Sequence, residues 1–172
     1  MILGAVLAGG QSRRFGSDKA VALWRGTALV EHACATVARV ADHVVVCGAA
    51  HAPFQPLPDR PEGARGPLAG LNAALHWGRA QGYEAVLSLG CDTPLVPADI
   101  LCRLIAAEGP AFLDACPIIG YWPAALADAL DHFLASDPRC SMKGWAASVG
   151  AQVLDSPPIA NVNTPEDLAA LG

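Results

Sequence analysis

Apolar runs and helix-spaced patterns alternate along this chain. Ile2 to Leu7 is an uninterrupted apolar run, as expected of a strand covered on both faces. Leu29 to Ala41 carries Leu29, Ala33, Val37 and Val40 at helical spacing, and His43 to Cys47 is a short β-branched strand. Pro53, Pro56, Pro58 and Pro61 fill the next connection and exclude regular helix there. A helix is predicted from Pro67 to about Gln81, since proline suits a first helical turn. Glu84 to Leu89 reads as a second buried strand, ending at Gly90-Cys91-Asp92, and Pro97 to Ala107 as a helix. A strand follows over Ala111 to Ala115, then helices over Pro123 to Leu134 and Ser141 to Val149, and a late strand over Gln152 to Leu154. Thr164-Pro165-Glu166-Asp167 has the form of an N-cap with proline and acids in the first turn of a last helix. The alternation predicts an α/β domain built from βαβ units.

One stretch breaks the alternation. Directly after the first strand comes Leu7-Ala8-Gly9-Gly10-Gln11-Ser12-Arg13-Arg14-Phe15-Gly16-Ser17-Asp18-Lys19, almost without apolar residues beyond Ala8. Glycines let backbone N–H groups approach a bound group, and successive N–H groups form a concave anion site. Arginine and lysine supply countercharge for phosphate. A glycine-rich turn can be only a turn, but strand, glycines, basic residues and terminal lysine together point to a polyphosphate. Two common phosphate loops do not fit. The G-x-x-x-x-G-K-[ST] pattern fails because Gly10 and Gly16 are separated by five residues and Gly16 is followed by Ser-Asp-Lys. The G-x-G-x-x-G pattern is absent.

Composition narrows the class. At 172 residues one domain is expected, burying roughly 70% of its unfolded surface. A content of 53% hydrophobic and 16% charged residues fits a packed globular chain. The net charge of −5 argues against a nucleic-acid partner, so the positive charge of the glycine segment is local. Neither a signal peptide nor an apolar run near the ~18 residues of a membrane span is evident. The six cysteines (Cys34, Cys47, Cys91, Cys102, Cys116, Cys140) form no C-x-x-C pair, which fits mostly buried thiols in a reducing cytoplasm.

Carboxylates extend the chemistry. Asp92 follows a predicted strand, where open parallel sheets bind ligands. It either holds Mg²⁺ against substrate phosphates or caps the turn before Thr93-Pro94, and spacing alone leaves both open. Asp59 ends the proline-rich connection, seven residues before Gly66-Pro67-Leu68-Ala69-Gly70, a helix start whose N–H groups favour an anion. Asn161-Val162-Asn163 precedes the last helix, where Asn163 reads as a turn residue.

Taken in order, L-A-G-G-x-S-R-R-x-G-x-D-K, D-x-x-x-x-x-x-G-P-L-A-G, C-D-T-P and N-V-N-T-P resemble the motifs of molybdenum cofactor guanylyltransferases. The resemblance runs from about Ile2 to Leu171. It implies a three-layer α/β/α sandwich with a mostly parallel, Rossmann-like sheet of the nucleotide-diphospho-sugar transferase type. It also implies one domain over 1–172, with a nucleotide-binding half at 1–107 and an acceptor-binding half at 108–172. The implied substrates are GTP and molybdopterin, with Mg²⁺, or Mn²⁺ in its place, as the cation. Leu7, Ala8, Gly9, Gly10, Cys47 and Asp59 would contact the nucleotide. Arg14 and Lys19 would offset charge on the leaving pyrophosphate, and Asp92 would hold the metal. Gly66, Pro67, Asn161 and Asn163 would face the acceptor. The expected setting is a cytoplasmic monomer or weak oligomer that exchanges cofactor with molybdenum-insertion and acceptor proteins and contacts neither nucleic acid nor membrane.

The chain also departs from that pattern. Cys47 stands where the family often has asparagine, Cys116-Pro117 where it often has histidine before proline, and the segment 109–117 is short. The Leu-Ala-Gly-Gly form favours guanylyl over cytidylyl transfer. Transfer from CTP, another phosphorylated acceptor, or GTP binding without turnover are the alternatives.

Overall fold

The computed structural model describes residues 1–9, 19–63, 66–137 and 139–172. In chain order the strands and helices are β1 (Ile2–Leu7), β2 (Leu23–Trp24), β3 (Thr27–Ala28), α1 (Leu29–Val37), β4 (His43–Cys47), β5 (Gln55–Leu57), α2 (Pro67–Ala80) and β6 (Ala85–Gly90). They continue as α3 (Ala98–Ile105), β7 (Ala111–Leu113), β8 (Cys116–Pro123), α4 (Ala127–Ser136), α5 (Met142–Ser148), β9 (Gln152–Leu154) and α6 (Pro165–Ala170). Short 3₁₀ turns at Lys19–Val21 and Ala124–Leu126 precede β2 and α4.

Seven strands form one sheet in the order β5-β4-β1-β6-β8-β7-β9. The first four are parallel, β8 runs antiparallel to both neighbours, and β7 pairs parallel with β9. Alternation along β1 sorts the two cores. Leu3, Ala5 and Leu7 pack with α2, α4 and α5, whereas Val6 faces α1 and α3. The molecule is therefore the three-layer α/β/α sandwich with a mostly parallel sheet.

The buried parallel strands lie where their apolar runs predict. Four other strands were not legible. β8 is punctuated by Pro117, Gly120 and Pro123, which hide a strand pattern. Gly120 is there for packing: a Cβ would lie 2.7 Å from the Trp122 ring and 2.9 Å from the Ala111 carbonyl. Trp122 is fully buried and donates its indole N–H to Ser88 Oγ at 3.0 Å, locking β8 to β6. β5 carries Pro56 inside the proline-rich connection, tolerated because β5 is a sheet edge. β2 and β3 form a tight hairpin whose turn residues Arg25 and Gly26 have φ of 51° and 78°, the positive pair a type I′ turn requires. The helix expected from Pro123 starts instead at Ala127, because β8 uses the chain up to Pro123. No helix among the described residues is long and apolar enough to cross a membrane. All six cysteines are free thiols.

Candidate active site

The register of the central strands brings three chain segments to one edge. Leu7 pairs with Cys47 on one side and Gly90 on the other, so β1, β4 and β6 end level. From β1 the chain builds outward through β4 and β5, then returns to add β6 on the opposite side. The carboxyl ends of β1 and β6 thus flank a topological switch point, where open α/β sheets bind ligands.

On the β4 side, glycines make a seat. Gly48, at φ +85°, approaches Gly9 so closely that a Cβ on Gly48 would lie 2.5 Å from Gly9 Cα and 2.7 Å from Gly9 N. The Ala8 N–H donates to the Cys47 carbonyl at 2.9 Å and the Gly48 N–H to the Leu57 carbonyl at 3.0 Å. The Asp59 carboxylate faces this seat: Cβ atoms built on Gly9, Gly48 and Gly70 would all lie 3.2–3.5 Å from its oxygens. Burial raises its pKa above the usual carboxylate value. Gly70 belongs to the first turns of α2, which Gly66 enters at φ +93° and Pro67 begins, with no side chain capping it. Leu7 and Cys47 are buried, and burial, with the Asp59 charge second, raises the Cys47 thiol pKa. Gly48 rather than the Cys47 side chain therefore presents this edge. A glycine directly after β4 is the signal for it.

On the β6 side, Lys19 Nζ lies 3.4 Å from Asp92 Oδ2 and 3.0 Å from Asn163 Oδ1. Lys19 is 12% exposed and Asp92 26%, so the pair is screened but reachable. Asp92 Oδ1 is buried and has no hydrogen-bond partner among the described residues. The Asp92 carbonyl accepts from Val162 N at 2.8 Å, and Thr93 turns the chain by bonding the Gly90 carbonyl through its hydroxyl at 3.0 Å. Cys116, at the start of β8, is buried nearby, and its pKa is pushed up to about 11 by burial, with the Asp92 charge second.

The sequence-predicted residues thus fall into two groups. Leu7, Ala8, Gly9, Cys47 and Asp59 gather around the glycine seat, Gly66 and Pro67 open α2, whose Gly70 borders that seat, and Lys19, Asp92 and Asn163 meet beside it. Asn161 is exposed two residues ahead of Asn163. Gly10 and Arg14 lie outside the described residues. Gly70 and Asp167 complete the two groups without having been singled out.

A second charged cluster sits on α2 and α4. Arg60 grips Asp131 through two bonds of 3.2 and 3.0 Å, and Asn72 Nδ2 donates to the same carboxylate at 2.7 Å. His76 Nε2 lies 2.9 Å from Asp131 Oδ2 without hydrogen-bond alignment, and Arg79 grips Asp128 at 2.8 and 2.9 Å. Arg60 above all pulls the Asp131 pKa down to about 2. His76, Asp128 and Asp131 are spaced like metal ligands, within 4.8 Å of one another. The arginine forks already neutralise both carboxylates, which marks an ion-pair network. A groove of about 910 Å³ runs along it, lined by Arg60, His76, Asp131, Trp77 and Leu134 among others, and reaches Asp59.

Known proteins match this architecture. Residues 4–150 match the MobA-like NTP transferase domain. A molybdenum cofactor guanylyltransferase of Acidiphilium cryptum is 36% identical, covering 96% of this chain and 91% of its own. One of Rhodobacter capsulatus is also 36% identical, over 98% and 93%. The crystal structure of molybdopterin-guanine dinucleotide biosynthesis protein A from Archaeoglobus fulgidus shares the fold at a TM-score of 0.73, with 20% identity over 99% of this chain and 96% of that one. The chain belongs to the MobA-like NTP transferase family, among the molybdenum cofactor guanylyltransferases.

Proposed function

We propose that this enzyme transfers GMP from GTP to the terminal phosphate of molybdopterin, yielding the guanine dinucleotide cofactor and pyrophosphate. The observation that carries the reading is the Lys19–Asp92 pair at the switch point, with one Asp92 oxygen buried and unpartnered among the described residues. Nucleotidyl transfer needs positioning and charge neutralisation rather than a protein nucleophile, and this edge offers both.

The residues divide the work. The N–H groups near Gly9 and Gly10 hold the nucleotide phosphates in the seat kept open by Gly48. The Asp59 carboxylate, raised in pKa by burial, is suited to accept N–H or O–H donors of guanine or ribose. Asp92 Oδ1 fits a hard divalent cation, Mg²⁺ or Mn²⁺. When bound there, such a cation polarises the α-phosphate. Lys19, with Arg14, stabilises charge developing on the leaving pyrophosphate. Gly66, Pro67 and Asn161 line the approach of the acceptor phosphate, which attacks the α-phosphorus as the bond to pyrophosphate breaks. Residues 1–107 form the nucleotide half and 108–172 most of the acceptor half. The setting is cytoplasmic, with proteins that insert molybdenum and accept the finished cofactor as partners.

Pyrophosphate release tests the reading. The protein with Mg²⁺ and molybdopterin should release pyrophosphate from GTP and far less from CTP. Preference for CTP would move the activity to cytidylyl transfer. GTP binding without release would leave a binding module.

A further inference from the structure

We infer that Asn163 is a positioning residue for Lys19, and that Val162 to Leu171 forms a brace holding the lysine ammonium at the site. The identity of the task Lys19 performs rests on the proposed guanylyl transfer; the bracing itself does not.

A lysine reaches its target on four flexible carbons, and fixing them costs rotamer entropy. Among the described residues two contacts hold Nζ, and the shorter, at 3.0 Å, is to Asn163 rather than to Asp92. An ammonium only donates, so the asparagine atom facing it is the carbonyl oxygen. A neutral oxygen orients the cation without cancelling its charge. A second carboxylate there would leave less charge for a phosphate.

Asn163 is itself held on both sides. Its N–H donates to Asp167 Oδ2 at 2.8 Å, the same oxygen accepts from Thr164 N at 2.9 Å, and Asp167 N donates back to Thr164 Oγ1 at 3.1 Å. This capping box of α6 therefore extends one residue upstream, onto the backbone of Asn163. Immediately before, Val162 is fully buried against Trp24 and Leu29, with Leu168 and Leu171 packed around them. Its N–H ties to the Asp92 carbonyl at 2.8 Å. The same hydrophobic patch anchors the Lys19 turn, because Ala22 N donates to the Lys19 carbonyl and Leu29 N to the Ala22 carbonyl. Arg25, stacked on Trp24 at 4.6 Å, closes the patch with bonds of 3.0 and 2.7 Å to the Gly172 carbonyl. Lysine turn, hairpin, last helix and asparagine thus form a closed loop registered on Asp92. Asn163 faces the lysine, whereas the residues alone read it as a turn residue and only the family resemblance implies an acceptor-side place for it.

Two readouts on the full chain test this. Without nucleotide, an amine-directed acylating reagent should label Lys19 several-fold faster in Asn163→Ala than in the parent. Asn163→Asp, which keeps an accepting oxygen, should restore slow labelling. Unchanged labelling in Asn163→Ala, or fast labelling in both variants, would overturn the bracing. With GTP and Mg²⁺, Asn163→Ala and Lys19→Gln should each weaken nucleotide binding about tenfold, and the double variant no further, since one acts through the other. Independent losses that multiply, or a rise in molybdopterin KM alone, would return Asn163 to the acceptor. If the parent bound no GTP while labelling behaved as expected, the guanylyl reading would fall and the brace would stand.

Discussion

Two charged clusters on one fold are built in opposite ways. On α2 and α4, Asp131 and Asp128 are gripped by arginine forks, and Asn72 adds a third donor. Asp131 accordingly titrates well below its ordinary value. At the carboxyl edge of the sheet, Asp92 meets one lysine at 3.4 Å and keeps a buried oxygen without a partner among the described residues. Asp59 there titrates above its ordinary value because burial disfavours its charged form. A completed network stabilises a fold, whereas strained or incomplete electrostatics mark a place prepared for something else. Counting acids and histidines alone favours the other cluster, since the metal-like trio lies in the completed one.

The largest break in this contrast should come from Asp92→Ala. Turnover should fall by about 100-fold or more, as commonly seen when a pre-organised charge is lost. The unfolding free energy should change by less than about 1 kcal/mol, because among the described residues only Lys19 bonds that side chain, at 3.4 Å, and it keeps its shorter bond to Asn163. Steady-state kinetics beside chemical denaturation separates the two.

Gly48→Ala comes next. It forces an L side chain to φ +85° and into the Gly9 backbone, so stability should drop by about 1–3 kcal/mol and nucleotide affinity with it. Denaturant titration with a nucleotide-binding isotherm reads both. Asp131→Ala should do the reverse of Asp92→Ala. It strands Arg60 and the buried Asn72 amide, costing about 1–2 kcal/mol of stability, while turnover stays within about twofold.

The smallest effect sharpens the sign. The native Asp131 carboxyl titrates at about 2 against 3.8 unfolded, so the unfolded chain takes up its proton first. The contribution of Asp131 is complete above about pH 4 and is lost as pH falls through about 2. With the side chain about one-third exposed, it amounts to roughly 1 kcal/mol. The stability gap between parent and Asp131→Ala should therefore close across that window in acid unfolding curves.

Much of this was legible in the residues. The apolar runs of β1, β4 and β6 announce buried parallel strands, and Lys19 and Asp92 were named from their places after them. β5 and β8 were not, because Pro56, Pro117, Gly120 and Pro123 are tolerated only by an edge or by a large neighbouring ring that the fold supplies. The meeting of Lys19 with Asn163, across 144 residues, exists only once hairpin and last helix share a core. Asp59 is a candidate on sequence through its place before the α2 start, but the three glycines from separate segments that surround it are visible only in the fold.

The central claim is that the incomplete cluster, and not the completed one, receives the nucleotide. Its most direct test is the melting temperature of parent, Asp92→Ala and Asp131→Ala with and without GTP and Mg²⁺. Binding to the native state at 100 times Kd stabilises it by about 2.7 kcal/mol. The account predicts a clear upward shift in the parent and in Asp131→Ala and its loss in Asp92→Ala. An undiminished shift in Asp92→Ala, or a shift abolished by Asp131→Ala alone, would contradict it.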